Sequence, residues 1–381
     1  MLLENRSYAS SARAWSEPLP TALDSDRTLV LVFAAPAIAS SGDALRELRR
    51  AFPRSLLLGC STAGEIHHDR VRDESVTVAI ARFDAVVLKV ASVPIGEGEA
   101  SYRAGEQIAQ KLAAPDLRAI LVFSEGLFVN GSELVRGINA ALPPTVIVTG
   151  GLAADGARFQ ATWVWDGDEI ASRKVAAVGL YGDRLVVGHG SRGGWDIFGP
   201  ERRITKSSGN VLYELDGKPA LRLYKDYLGD RASELPAGAL LFPLAVRAAA
   251  RDPKQLVRTI LSVCEAEQSL TFAGDMPEGA LAQLMRANID RLVQGASDAA
   301  MQARCALEPG APLLSVAVSC VGRRLVLGER TEEELEATLD VLPRGTRQIG
   351  LYSYGEISPF WPGGSDLHNQ TMTLTAFGER A

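Results

Sequence analysis

The sequence predicts an α/β fold of mixed β-sheets in a layered arrangement with helices outside, built from duplicated strand-helix-strand units. Three observations lead there. The stretch Gly59-Cys60-Ser61-Thr62-Ala63-Gly64-Glu65-Ile66 returns as Gly350-Leu351-Tyr352-Ser353-Tyr354-Gly355-Glu356-Ile357, so Gly-x4-Gly-Glu-Ile occurs twice, each time after a strand-like run. A common plan of strand, loop, helix, proline, strand and glycine-rich turn surrounds both copies and recurs once between them. Meanders over residues 75–93 and 159–190 break what would otherwise be an all-parallel alternation.

In order, the first unit reads as a strand over 29–33, an amphipathic helix over 43–52 stopped by Pro53, and a strand over 55–58. Strand-like runs at 75–82 and 85–93 follow, then a helix over 101–113 with Ala104, Ile108 and Leu112 on one face. The middle unit has a strand at 119–123, a helix at 132–142 stopped by Pro143 and Pro144, a strand at 145–149 and the turn Gly150-Gly151-Leu152-Ala153-Ala154-Asp155-Gly156. Runs at 159–165, 174–181 and 185–190 form a meander with turns at Asp166-Gly167 and Gly182-Asp183. Residues 191–220 change in character and read as a junction, with the halves expected to meet near 191–235. Beyond it come strands at 240–248, 258–266 and 269–272. A long helix over 277–301 then carries a stripe of Leu281, Leu284, Met285, Ile289 and Leu292. The last unit has a strand at 314–320, a helix at 332–342, Pro343, a strand at 347–351 and a closing strand at 371–377. The boundaries that result are a polar, loosely held lead-in over 1–27, an N-terminal domain over 28–220 and a C-terminal domain over 221–381.

At 381 residues the chain is long enough for two or three domains. Its 46% hydrophobic and 23% charged residues are ordinary for a globular protein, and a net charge of −6 gives no basic footprint for nucleic acid or anionic membrane. No apolar run reaches the ~18 residues that would span a bilayer, so no membrane insertion is expected. The first residues lack the apolar core of a signal peptide, which makes a cytoplasmic protein the expectation. Cys60, Cys264, Cys305 and Cys320 show no zinc spacing.

Glycine-bracketed turns with a fixed carboxylate bring backbone and one acidic group close to something small, and two copies predict two related halves facing one pocket. The candidate ligand-binding residues are Gly59, Cys60, Ser61, Thr62, Gly64, Glu65, Ser124, Asn130, Asp155, Arg323, Tyr352, Tyr354, Gly355, Glu356 and Asn369. Arg323 is the candidate carboxylate anchor, since its planar fork bonds bidentately. The plainer reading gives the glycines, Glu65 and Glu356 to turn hydrogen bonds. The histidines are His67, His68, His189 and His368. His67 and His68 are the candidate axial ligands for a non-covalent haem b, with aromatic stretches around Trp163, Trp195 and Phe360-Trp361 to line its slot. The plainer reading of the pair is an exposed loop. Catalysis finds little support: there is no G-x-S-x-G elbow, phosphate loop or ordered triad. No enzyme activity is expected.

The stretches LLLGCSTAGEI, VFSEGLFVNGSELVRGI, VTGGLAADGARF, TKSSGNVLYELDGKPALRLYKDYLG, VSCVGRRLVLGERTEEEL and GLYSYGEISP, the last followed by LHNQTMTLTAF, resemble the FIST family over about residues 28–379. The resemblance implies a sensory protein with N-terminal and C-terminal FIST parts that binds a small ligand and signals to a partner. Amino acids were the ligands first suggested for the family, and some stand-alone members look like haem proteins that sense nitric oxide and regulate a histidine kinase. Because no output module is recognised in the chain, the expected partner acts in trans: a histidine kinase or a cyclic-di-nucleotide enzyme. A homodimer is compatible with this. Two readings stay open, a haem-based nitric oxide sensor using His67 or His68 and a haem-free sensor of an amino acid or similar metabolite.

Overall fold

The computed structural model describes residues 1–96, 100–235, 237–252, 254–307, 312–360 and 364–380. It contains three copies of one chain path. In the first, strand β1 (Leu2–Ala9) precedes β2 (Thr28–Ala34), helix α1 (Asp43–Ala51), β3 (Leu56–Ser61), the short β4 (Glu65–His67) and β5 (Ser75–Arg82). In the second, β6 (Val87–Pro94) precedes α2 (Ala100–Leu112), β7 (Leu117–Ser124), α3 (Gly131–Ala141), β8 (Ile147–Leu152), the short β9 (Val164–Trp165) and β10 (Lys174–Tyr181).

The third copy begins with β11 (Leu185–Arg192) and is then interrupted by an inserted unit. That unit comprises β12 (Asp196–Ser208), β13 (Val211–Leu215), α4 (Ala220–Leu228), β14 (Leu244–Arg247), β15 (Leu256–Arg258), β16 (Ile260–Cys264), β17 (Ser269–Phe272) and β18 (Leu281–Arg286). The path resumes with α5 (Ile289–Arg304), β19 (Leu314–Cys320), α6 (Thr331–Val341), β20 (Arg347–Ser353), β21 (Gly355–Pro359) and β22 (Met372–Glu379).

In each copy two parallel strands flank a helix: β2 with β3, β7 with β8, and β19 with β20. The last strand returns antiparallel between the first of them and the edge strand. The short strand after each glycine-rich turn leaves its own sheet: β4 pairs with β20, β21 with β8, and β9 with β3. The lending is cyclic, so the three sheets close on one another. Where the turns meet, the Ala63 amide donates to the Tyr352 carbonyl (2.8 Å), Tyr354 to Leu152 (3.3 Å) and Ala154 to Ser61 (3.0 Å), a ring of three equivalent bonds.

Local chemistry explains the repetition. Gly59, Gly150 and Gly350 occupy the same position, and a Cβ on any of them would collide with the carbonyl of Val32, Val122 or Ala317 on the neighbouring parallel strand. Helix α3 starts where the Asn130 side chain accepts from the Glu133 amide, and buries Leu134, Val135 and Ile138. Inner faces of the three sheets share one apolar core, in which Phe33 meets Phe123 edge-on at 5.2 Å between ring centres. Helices cover the outer faces, as in a layered α/β fold.

Several expectations are corrected. The two halves expected from the Gly-Glu-Ile turns give way to the three units read along the chain, which return as three repeats, the middle turn carrying Asp155-Gly156 where the others carry Gly-Glu. The lead-in is not loosely held: β1 pairs along its whole length with β5, and its buried Asn5 donates to the Gln348 carbonyl at 3.2 Å. The helix over 277–301 is a strand followed by a helix. Ala280, Ala282 and Leu284 bury at period two, and the Asn288 side chain caps α5 by accepting from Arg291. Strand β11 pairs with β22 across the inserted unit.

Candidate functional site

The two Gly-Glu-Ile carboxylates turn inward. Glu65 is buried and accepts from the Thr62 hydroxyl, from the Ser75 amide (3.1 Å) and from the Ser75 hydroxyl (2.7 Å). Glu356 repeats the pattern with the Ser353 hydroxyl (3.1 Å), the Thr371 amide (3.1 Å) and the Thr371 hydroxyl (2.9 Å). Burial pushes Glu65 up to about 7 and Glu356 up to about 8, with these donors opposing it. Both carboxyls therefore brace their own turns, which is the plainer of the two readings.

Arg323 is also corrected as a ligand anchor. It has no exposed surface, its Nε and Nη2 donate to Glu334 at 3.0 and 2.7 Å, and Nη2 also reaches the Leu292 carbonyl at 2.8 Å. Tyr352, equally buried, donates to the same Glu334 at 2.7 Å. Cys60 is packed in the inner core, where burial raises its thiol far above the ordinary range. Gly59 and Gly64 approach neighbouring backbone and the Arg324 guanidinium, and Gly355 packs on Leu367 and Leu152. The Ser61 hydroxyl accepts from the Trp163 amide at 3.1 Å. Ser124 and Asn369 each hold a buried oxygen without a partner among the described residues.

His67 lies on β4, where burial, helped by His68 and Arg72, lowers its imidazole to about 4. Its ring meets that of His68 edge-on at 5.0 Å. Both imidazoles are part-buried rather than freely exposed. Neither lines the two clefts described next. The aromatic stretches do not converge beside them: Trp163 and Trp165 belong to the outer core of the first sheet, Trp195 to a cluster beside the inserted unit, and Trp361 lies outside the described residues. Among the described residues no cluster of these tryptophans adjoins the pair, and the buried His67 Nδ1 has no partner there.

What the fold does bring together is a cleft of about 330 Å³ at the carboxyl ends of β7, β8, β19 and β20. Ligands in α/β sheets bind at such strand ends. Its floor comes from the repeats, through Gly126–Asn130, Leu152, Cys320 and Tyr354, and its roof from the inserted unit, through Thr259, Leu261 and Phe272. No lining residue is charged. Phe128, Phe159 and Leu261 are 59%, 52% and 46% exposed, so the apolar surface reaches the mouth. Thr259 carries a buried hydroxyl with no partner among the described residues.

Two predicted residues line this cleft, and a third shapes it. Asn130 caps α3 and donates to Asp275 at 3.0 Å. Tyr354 stacks on Phe159 at 4.6 Å between ring centres, and its hydroxyl donates to Asp155. Asp155 accepts from the amides of Phe159 (2.9 Å), Gln160 (2.8 Å) and Ala161 (2.9 Å), holding Phe159 at the rim with a positive φ of 52°. Burial works against its ionisation, but the bonds from Tyr354 and these amides outweigh it and hold Asp155 below the ordinary carboxylate range. Sequence reasoning missed Phe128, Phe159 and Thr259. Two phenylalanines in polar, glycine-rich loops were a usable signal, whereas nothing marked the threonine.

Comparison with known proteins supplies the family. The sequence matches the FIST N domain over residues 28–218 and the FIST C domain over 220–359. It is 26% identical over 350 residues to an uncharacterized protein of Methanocaldococcus jannaschii, covering 81% of this chain and 65% of that protein. The chain thus spans just under two-thirds of that relative's length. A solved cyanuric acid hydrolase from A. caulinodans aligns over 100% of this chain and 99% of its own, at 9% identity and a TM-score of 0.37, a likeness too distant to carry over fold or function. Two consecutive domain matches over most of its length place the chain in the FIST family, whose domains are sensory, ligand-binding domains of signal transduction.

Proposed function

We propose that the protein is a sensor that binds a small, uncharged, partly aromatic ligand in the cleft between the repeats and the inserted unit, and passes the signal in trans. The cleft's uncharged lining carries this reading. An amino-acid zwitterion placed there would leave two charges desolvated without partners, which is costly, whereas a flat neutral molecule stacks on Tyr354, Phe159 or Phe272. The exposed Phe159 ring at the mouth offers an open stacking surface.

Floor and roof belong to different parts of the chain, so a bound ligand bridges them. If it binds the closed junction more tightly than the open one, the population shifts and a partner reads the change. That partner is a signalling protein such as a histidine kinase or a cyclic-di-nucleotide enzyme, the family's role made specific. A cytoplasmic location suits such a partner.

The test is calorimetric titration with benzamide and indole. Saturable binding is expected, weakened tenfold or more by Phe159→Ala, which removes an aromatic stacking surface worth about 1.5–3 kcal/mol. Haemin titration of the same protein tests the alternative: a stoichiometric Soret band lost in His67→Ala or His68→Ala would replace the neutral-ligand reading with haem-based gas sensing.

A further inference from the structure

A second cleft, of about 420 Å³, lies on the other side of Asn130 and Asp275, between α3 and the inserted unit. Its lining is as charged as the first is neutral. Four cations face it. Arg136 pairs with Glu133 (2.6 Å), Lys254 with Asp366 (2.5 Å) and Arg247 with Glu201. Arg258 differs from the others. It is 5% exposed, yet it forms no ion pair with a described carboxylate. Its Nε donates to the Asp275 carbonyl (3.1 Å), and its Nη1 to the carbonyls of Leu367 (3.0 Å) and Val257 (3.3 Å). Nη2 takes part in none of these bonds.

A buried guanidinium without a carboxylate is costly unless something else supplies the negative charge. Burial lowers Arg258 to about 10, against the field of Asp366 and Asp275, and that still leaves it charged at neutral pH. The backbone carbonyls fix the plane of its fork, as a carboxylate receptor requires. Asp252, Asp275 and Glu278 line the same cleft and make no ion pair among the described residues. They would repel a phosphate or a dicarboxylate, but they complement a ligand that carries its own positive group.

We propose that this cleft is a second ligand site, in which Arg258 anchors the carboxylate of a small zwitterion and Asp275 faces its cationic end. The site is independent of the neutral cleft: Arg258 and Thr259 are adjacent in the chain and line different clefts.

The test is titration calorimetry of the full chain with β-alanine, 4-aminobutyrate and 5-aminovalerate, with acetate as the carboxylate that lacks the cation. At least one zwitterion binds saturably, and more tightly than acetate. Arg258→Gln weakens it tenfold or more, Asp275→Asn weakens the zwitterion while leaving acetate unchanged, and Thr259→Val has no effect. Because Arg258 also holds two loops, circular dichroism checks each variant. Arg258→Lys, which keeps the charge but loses the fork, serves if Arg258→Gln does not fold, and is expected to weaken binding. Absence of saturable binding by all three zwitterions, or affinity unchanged in the folded Arg258 variant, overturns the proposal.

Discussion

Arg323 and Arg258 show what decides the role of a buried arginine. Each is almost fully buried, but Glu334 neutralises Arg323 and no described carboxylate neutralises Arg258. Arg323→Ala should therefore cost about 3–5 kcal/mol of folding stability, because it strands a buried Glu334. Urea denaturation reads this, and a loss below about 1 kcal/mol would contradict the pairing. Glu65 and Glu356 make a prediction about pH. Their folded pKa values of about 7 and 8 lie above an unfolded carboxyl near ~4.3. The native state thus holds protons that the unfolded chain has lost. Their contribution to stability is full below the unfolded pKa and is lost as pH rises through the folded one. From about pH 4.3 up to about 7 for Glu65 and about 8 for Glu356, each group lowers stability by up to about 1.4 kcal/mol per pH unit. Denaturant midpoints at pH 5 and 8.5 check this, and Glu356→Gln should flatten the slope.

At the scale of elements, Gly59, Gly150 and Gly350 let the two parallel strands of each repeat close on one another. Gly350→Ala places a methyl group against the Ala317 carbonyl, and should cost about 1–3 kcal/mol or more by forcing the parallel strands apart. A thermal melt within error of wild type would contradict it. The parallel strands and their helices were legible from hydrophobic periodicity and the proline stops, because each is a local pattern. The exchange of short strands was not, since β4, β9 and β21 are too short to show a period and their partners come from other repeats. Strand β1 was hidden for a different reason: it buries the polar Asn5 and Arg6, which donate to the Gln348 and Pro18 carbonyls, so it never reads as apolar. The Glu65 and Glu356 turns stood out in the sequence because they repeat, but repetition there records a shared architectural need. The cleft residues come from loops and from the inserted unit, where nothing repeats.

The whole molecule combines a closed, cyclic core with one inserted unit that covers the ends of its strands. Ligand in the neutral cleft should slow amide hydrogen exchange on both sides of the junction, over residues 126–130 and 259–274, and leave the outer helix α1 unchanged. Protection confined to one side would mean that the ligand does not bridge the parts. Titration of wild type and Phe159→Ala with benzamide and indole decides whether the neutral cleft is the sensory site. Saturable binding is expected to fall tenfold or more in Phe159→Ala, with the melting temperature little changed because that ring is exposed. Neither probe binding saturably, or equal affinity in the two proteins, would contradict it.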